Sequence, residues 1–345
     1  MSRVCRLAAG CARFAAFLCL GWIGTGCRTP PGVERVRRGD EIMICGRLFQ
    51  VGTSVVLWTD PGGYDAYRVE RRFSPWTNAS WEVTAAESKQ LDTPNRYGLR
   101  KDRLTAAELE RVRGGGWDLP LLQRVVDQFV LHYDATGTSQ RCFEVLHDRR
   151  GLSVHFMLDV DGTIYQTLDL KERAWHATIS NSRSIGIEIA QMGAVSPEAT
   201  NRWADGYATD ADGPYLRMPP SLDGVDPGFR KAGFVGRPAR QEPVVGEIQG
   251  QTLMQYDFTP EQYRSLAKLT AALCRVFPEL SCDYPRDAEG RLVTRKLSDE
   301  ALRNHRGLIG HYHIQTDKVD PGPAFDWDRV VRDARWYRKG GWDRR

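Results

Sequence analysis

The stretch Gly310-His311-Tyr312-His313-Ile314-Gln315-Thr316-Asp317-Lys318-Val319-Asp320-Pro321-Gly322-Pro323-Ala324-Phe325 decides how this chain is read. It follows Leu308 and Ile309, an apolar run that reads as a buried strand leading into a loop. His311 falls at the strand end. The loop then returns an acid, Asp320, next to Pro321 and Pro323. Proline fixes its own φ and restricts the residue before it, so Asp320 is expected in an extended conformation with little freedom. A histidine and a carboxylate on stiff backbone suit a divalent metal, but two ligands do not complete a site. His132, in Phe129-Val130-Leu131-His132-Tyr133, ends another apolar strand and is the candidate third ligand. Two imidazoles and one carboxylate leave a fourth tetrahedral position open for water, the pattern of a catalytic rather than a structural zinc. His313 is the competing choice for His311.

Working outward, strands are expected at 125–132, 153–159, 163–167, 184–190 and 307–311, with Asp161-Gly162 in a hairpin turn. A helix is well marked at 260–276. Thr259 is its N-cap, Pro260 its first residue, Gln262 closes a capping box, and Phe258 and Tyr263 stand where a hydrophobic staple belongs. A last helix covers 326–337. Interleaved strands and helices predict an α/β fold: a single mixed central β-sheet with helices packed on it, a zinc cleft at the strand ends, and an N-terminal β-rich extension. The main domain is expected over 121–340. Residues 192–257, rich in Pro, Gly and Asp, read as a long insert without regular structure.

Residues 40–120 form the extension. Short strands are expected in 40–60, and Thr105 to Glu108 is a capping box for a helix that Gly114 ends. Ahead of it, Arg3 and Arg6 precede an apolar stretch from Leu7 to Ile23, then Gly24-Thr25-Gly26-Cys27. This reads as a secretory signal over 1–27. Small residues directly before Cys27 resemble a lipoprotein signal, which implies a lipid on Cys27, residues 28–39 as a tether, and an exported protein held at a membrane. Beyond the leader four cysteines remain, Cys45, Cys142, Cys274 and Cys282. An exported chain permits disulfides: Cys274 could pair with Cys282, which would leave Cys45 with Cys142, the alternative being simple buried thiols. A net charge of only +4, with no basic block, argues against nucleic acid as a partner.

Several segments together resemble the zinc N-acetylmuramoyl-L-alanine amidases, the superfamily of phage lysozyme-type amidases and peptidoglycan recognition proteins. They are His132, Ser153 to Leu158, Asp161 to Gln166, Ala174-Trp175-His176-Ala177, Ser184 to Ile189, and His311 to Phe325, all in the family's order. The resemblance implies one Zn2+ held by His132, His311 and Asp320, with His311 favoured over His313 because it directly follows Gly310. It implies Glu188 as general base, Lys318 as oxyanion stabiliser, and Trp175 and His176 as substrate-binding residues. A carboxylate inside the apolar run Ile185 to Ala190 is costly unless used, which agrees with a role for Glu188. His155 matches a family position but reads equally as a hydrogen-bonded core histidine. The implied substrate is peptidoglycan or a muropeptide, cleaved between N-acetylmuramic acid and L-alanine. With its lipoprotein-like start, the chain most resembles the bacterial envelope branch. The implied location is the periplasm, lipid-anchored to the outer membrane, and the protein is expected to be a monomer. The competing readings are a non-catalytic peptidoglycan-binding protein, a zinc amidase acting on another amide, and a structural zinc protein.

Overall fold

Phe129-Val130-Leu131, Ile185-Gly186-Ile187 and Leu308-Ile309 have no outward polar face, so strands built on them must be covered on both sides. In the structure all eight of these residues but Gly186 are core hydrophobics with essentially no exposed surface, and Gly186 is buried with them. The computed structural model describes residues 36–87, 96–203, 206–217 and 229–341, and Arg38–Arg345 make one unit. The expected leader, Cys27 and most of the tether lie outside the described residues.

In chain order, β1 (Glu41–Ile44) and β2 (Arg47–Gln50) form a hairpin, followed by β3 (Val55–Leu57), α1 (Trp81–Glu87), β4 (Tyr97–Leu99), α2 (Ala106–Arg113) and α3 (Leu119–Val125). The middle of the chain holds β5 (Gln128–Tyr133), α4 (Ser139–Phe143), β6 (Phe156–Leu158), β7 (Ile164–Gln166), β8 (Glu172–Ala174) and β9 (Ser184–Ile189). Two hairpins follow, β10 (Tyr207–Asp210) with β11 (Gly213–Leu216) and β12 (Val244–Ile248) with β13 (Gln251–Gln255). The chain closes with α5 (Pro260–Val276), α6 (Asp299–Asn304), β14 (Gly307–Gly310) and α7 (Trp327–Arg338).

The central sheet has six strands in the order β14-β5-β9-β6-β7-β3. Strands β14, β5, β9 and β6 run parallel, β7 returns antiparallel to β6, and β3 runs parallel to β7. The β6–β7 turn is the expected one. Gly162 sits at φ +83°, and a Cβ there would lie 2.9 Å from the Glu261 carbonyl oxygen, so no other residue fits without a shift. The parallel set matters most for function: the carboxyl ends of β14, β5 and β9 lie side by side.

Helix α5 starts as the sequence predicts. The Thr259 side chain accepts from Gln262 N–H and the Gln262 side chain accepts from Thr259 N–H, both halves of a capping box. The Phe258 and Tyr263 rings meet with centroids 6.0 Å apart. Gln262 also donates to the Ala190 carbonyl at 2.7 Å, tying the helix start to the end of β9. Tyr263, Leu266, Leu269 and Leu273 are buried along one face, and each such burial contributes about 1.5–3 kcal/mol. Helix α7 closes over the same core through Val330, Val331 and Ala334.

Residues 40–120 are built into this body. Strand β3 is an edge of the central sheet. The Gln166 amide pairs with both backbone groups of Met43, at 2.7 and 2.8 Å. The Asp169 carboxylate accepts from Cys45 and Gly46 N–H. Arg100 is fully buried and donates to the carbonyls of Leu170, Asn181, Ser182 and Ser184. Burial lowers its pKa to about 9.

Two expectations need correction. Residues 192–257 are not an irregular loop, since both hairpins lie within them. Their strands are short and half-exposed, so they carry no long apolar run to announce them. The expected disulfides are also absent: Cys45, Cys142, Cys274 and Cys282 are free thiols. Cys45 and Cys142 belong to different clusters of the core. Cys274 and Cys282 share one core cluster without being joined.

Candidate metal centre

The parallel register places the site. His132 is the fifth residue of β5 and lies directly opposite Glu188 on β9, so the two side chains leave the same face of the sheet. His311 is the first residue after β14. Asp320 returns along the following loop, where Tyr312 N–H bonds its carbonyl at 3.2 Å. The result is a tight triangle. His132 Nδ1 lies 2.8 Å from Asp320 Oδ2, His311 Nδ1 lies 3.1 Å from Asp320 Oδ2, and the two Nδ1 atoms are 3.1 Å apart. Donors on a tetrahedron with bonds of about 2.0–2.1 Å lie about 3.3 Å apart. A spread of a few tenths of an ångström therefore accommodates a zinc-sized ion, and the donor set, two imidazoles and a carboxylate, suits one. Among the described residues it is the one group of three or more His, Cys, Asp or Glu side chains that converges in this way.

The remaining ring nitrogens are committed elsewhere. His311 Nε2 donates to Gln315 Oε1 at 2.8 Å, which leaves Nδ1 its lone pair. His132 Nε2 faces His176 Nδ1 at 3.0 Å, and His176 Nε2 lies 3.3 Å from Ser184 Oγ. A chain of donors from His132 through His176 to Ser184 keeps the His132 Nδ1 lone pair free for a metal. Burial, and then the neighbouring His311, lower the pKa of His132 and favour the neutral imidazole a metal needs. Burial works to raise Asp320, but His311 and His132 outweigh it and hold this carboxyl well below the usual range.

Glu188 is 9% exposed and has no hydrogen-bond partner among the described residues. Burial, followed by the charges of Asp320 and Asp134, raises its pKa well above 4.5. A buried, unpaired carboxyl beside a metal triad has the environment of a general base. Lys318 lies on the loop between His311 and Asp320. Its Nζ is 3.3 Å from Asp317 Oδ2, and its side chain is about one third exposed.

His313 lies outside the converging group. The chain turns into a short 3₁₀ segment at His311–His313, so the alternation of a continued strand does not apply. The His313 ring turns inward, accepts from Gly310 N–H at Nδ1 and donates to the Val293 carbonyl at Nε2. His155 is likewise internal: Nδ1 accepts from Gly186 N–H at 3.1 Å and Nε2 donates to the Glu172 carbonyl at 3.0 Å. Burial, then Arg100, push its pKa down to about 3. Trp175 is half-buried, its indole against Gly98 of β4, and its Nε1 has no partner among the described residues.

Sequence reasoning did not find Gln315, or the contact of His176 with His132. A signal for the second exists. Gly186 interrupts β9, and a Cβ there would come within 2.5 Å of the His176 ring. A glycine inside a strand marks just such a close approach.

The sequence profile of the N-acetylmuramoyl-L-alanine amidases matches residues 122–323, more than half of the chain. The chain belongs to this amidase family. Among curated relatives, the 1,6-anhydro-N-acetylmuramyl-L-alanine amidase AmpD of Haemophilus influenzae is 21% identical over 186 residues, 53% of this chain and 59% of that protein. AmpD of Escherichia coli is 23% identical over 188 residues, 54% of this chain and 59% of that protein. The chain thus spans less than two thirds of the length of either relative. Among solved structures, a selenomethionine derivative of AmpD matches at 19% identity and a TM-score of 0.31, over 72% of this chain and 94% of that one. The amidase AmiD from E. coli, in complex with anhydro-N-acetylmuramic acid-L-Ala-D-γ-Glu-L-Lys, matches at 18% identity and a TM-score of 0.32, over 60% and 57%.

Proposed function

We propose that this amidase-family chain is a zinc hydrolase of the amide that joins the lactyl group of N-acetylmuramic acid to L-alanine in peptidoglycan or muropeptides. The observation that carries the reading is the convergence of His132, His311 and Asp320 within 3.1 Å, with the unpaired Glu188 directly across from His132. His132, His311 and Asp320 would hold a zinc ion, which would supply Lewis acidity at the site. Glu188 takes the proton of the attacking water and returns it to the nitrogen of the leaving L-alanine. Lys318 offers its ammonium to the oxyanion of the tetrahedral intermediate. His176 and Gln315 hold the His132 and His311 rings in the ligating tautomer, and Trp175, next to His176 in the chain, is assigned to substrate binding. Water adds hydroxyl to the lactyl carbonyl carbon, the C–N bond breaks, and the peptide leaves with a free amino group.

The same reading takes 121–340 as the catalytic domain with 40–120 as an accessory extension. It puts the protein outside the cytoplasm, held at the outer membrane by a lipid on Cys27 and facing the periplasm, as a monomer. The experiment is digestion of a disaccharide-tetrapeptide muropeptide by zinc-loaded protein, with Glu188→Gln alongside and products weighed by mass spectrometry. Free tetrapeptide and free disaccharide, formed by the wild type alone, are expected. Intact substrate with both proteins, at full zinc occupancy, would point instead to a binding protein.

A further inference from the structure

The prolines that stiffen the Asp320 loop also strip it of hydrogen-bond donors. Pro321 and Pro323 carry no N–H, so the loop cannot hold itself with a backbone ladder and its polar groups need partners from elsewhere. Those partners come from the β12–β13 hairpin, 60 or so residues upstream. Gln255, at the end of β13, is fully buried. Its Nε2 donates to the Pro321 carbonyl at 3.0 Å and its Oε1 accepts from Ala324 N–H at 3.0 Å, so one side-chain amide spans the turn that presents Asp320. The fit is close: a Cβ on Gly322 would lie 2.1 Å from Gln255 Oε1, and a Cβ on Gly246 of β12 would lie 2.9 Å from Pro323.

The hairpin tip grips the other half of the site. Gln249 and Gly250 make the two-residue turn, both at positive φ, 56° and 74°. Such turns favour Gly, Asn or Asp, and a glutamine there is held in a conformation that side chains disfavour. The Gln249 side chain accounts for its presence. Its Nε2 donates to the Tyr312 carbonyl at 2.8 Å and the Gln315 carbonyl at 2.9 Å and reaches the Lys318 carbonyl at 3.5 Å, while Oε1 accepts from Lys296 N–H at 3.1 Å. Gln315 is the residue that orients His311. Disfavoured backbone at a residue with this many outward bonds marks a positioning role.

We infer that the β12–β13 hairpin is a positioning element of the metal centre, with Gln255 fixing Asp320 and Gln249 fixing the His311–Gln315 turn and Lys318. The inference rests on the metal-site reading above. It assigns a task to a segment that the sequence leaves as an insert, and it requires the hairpin to act through the ligands without touching substrate.

The test exploits the turn's own preference. Gly at 249 suits the positive φ, so Gln249→Gly leaves the hairpin's backbone at least as comfortable while deleting its grip. The full-length chain, wild type and Gln249→Gly, is titrated with Zn2+ against a chromophoric chelator. Melting of the metal-free proteins and steady-state kinetics on a muropeptide are measured in parallel. The expected result is a Zn2+ dissociation constant raised about tenfold and kcat lowered with KM unchanged, in a metal-free chain that still unfolds in one cooperative transition at a melting temperature lowered by the lost hydrogen bonds. Gln255→Met keeps the buried volume, removes both hydrogen bonds, and is expected to shift affinity the same way; should it fail to fold, Gln249→Gly decides alone. Zn2+ affinity and kcat within twofold of wild type in Gln249→Gly would overturn the positioning role while leaving the metal site standing. A wild type that takes up no stoichiometric Zn2+ would overturn the site reading and this one together.

Discussion

Replacing Glu188 by glutamine should lower activity and raise stability at once. The side chain keeps its shape and loses its charge and its basicity. Loss of a positioned general base costs about 10²- to 10⁴-fold in rate, a barrier increase of about 3–5 kcal/mol. The stability gain follows from the buried carboxyl. Its pKa is raised well above 4.5 by burial and by Asp320 and Asp134. The folded state therefore holds this proton more tightly than the unfolded chain does. Stability from that proton is fully present below pH 4.5 and is lost as pH rises through the folded value. At neutral pH the wild type forfeits about 1.4 kcal/mol for each unit of elevation, and glutamine forfeits none of it. The assay is urea unfolding of the metal-free proteins at pH 5 and pH 7.5, together with kcat of the zinc-loaded proteins. The variant should gain stability relative to the wild type on going from pH 5 to pH 7.5, and its rate profile should lose the acidic limb of the wild type. Wild-type turnover in the variant, or a variant less stable at pH 7.5, would refute the reasoning.

Three further predictions concern the metal, pH and the frame. Asp320→Ala should lose stoichiometric zinc by elemental analysis and activity with it; retained zinc at wild-type affinity would remove Asp320 from the ligand set. His155 has its pKa lowered to about 3 in the fold from 6.5, so the stability it contributes is present above pH 6.5 and lost as pH falls toward 3. At pH 5.5 the loss from this residue is about 1.4 kcal/mol, and His155→Asn should show a correspondingly shallower decline in urea titrations between pH 7.5 and 5.5; an unchanged slope would count against the burial argument. Thr259→Ala removes the cap of α5 and the bond from Thr259 Oγ1 to the Val160 carbonyl at 2.7 Å, and should cost about 1–2 kcal/mol by denaturant unfolding; a change below about 0.3 kcal/mol would show that the cap does not set the helix start.

What the sequence made legible was what local chemistry signals. Apolar runs at Phe129 to Leu131, Ile185 to Ile189 and Leu308-Ile309 gave the parallel strands, because a strand covered on both faces has no polar alternation. The box at Thr259 and Gln262 gave the start of α5, because its two hydrogen bonds need only residues three apart. The candidate ligands were legible as residue types at strand ends, but the choice between His311 and His313 rested on the family resemblance. The chain bends into a 3₁₀ turn that brings His311, and not His313, to His132 and Asp320, a bend that strand periodicity does not foresee. The parts that escaped depend on contacts across long stretches of chain. Gln249 and Gln255 meet the His311–Ala324 loop more than 60 residues away, and His176 meets His132 across 44 residues. The cysteines erred in the other direction: spacing suggested two disulfides, whereas the fold leaves four free thiols.

The most direct test of the central claim is hydrolysis of a defined muropeptide in ¹⁸O-water by the zinc-loaded protein, read by mass spectrometry of both products. The account predicts one ¹⁸O in the lactyl carboxylate of the sugar product, an unlabelled peptide that begins at L-alanine, and no labelled product with Glu188→Gln. Label in the terminal carboxyl of a sugar product that still carries stem residues, which places the cut inside the stem, or the absence of any product from a fully zinc-loaded wild type, would contradict it.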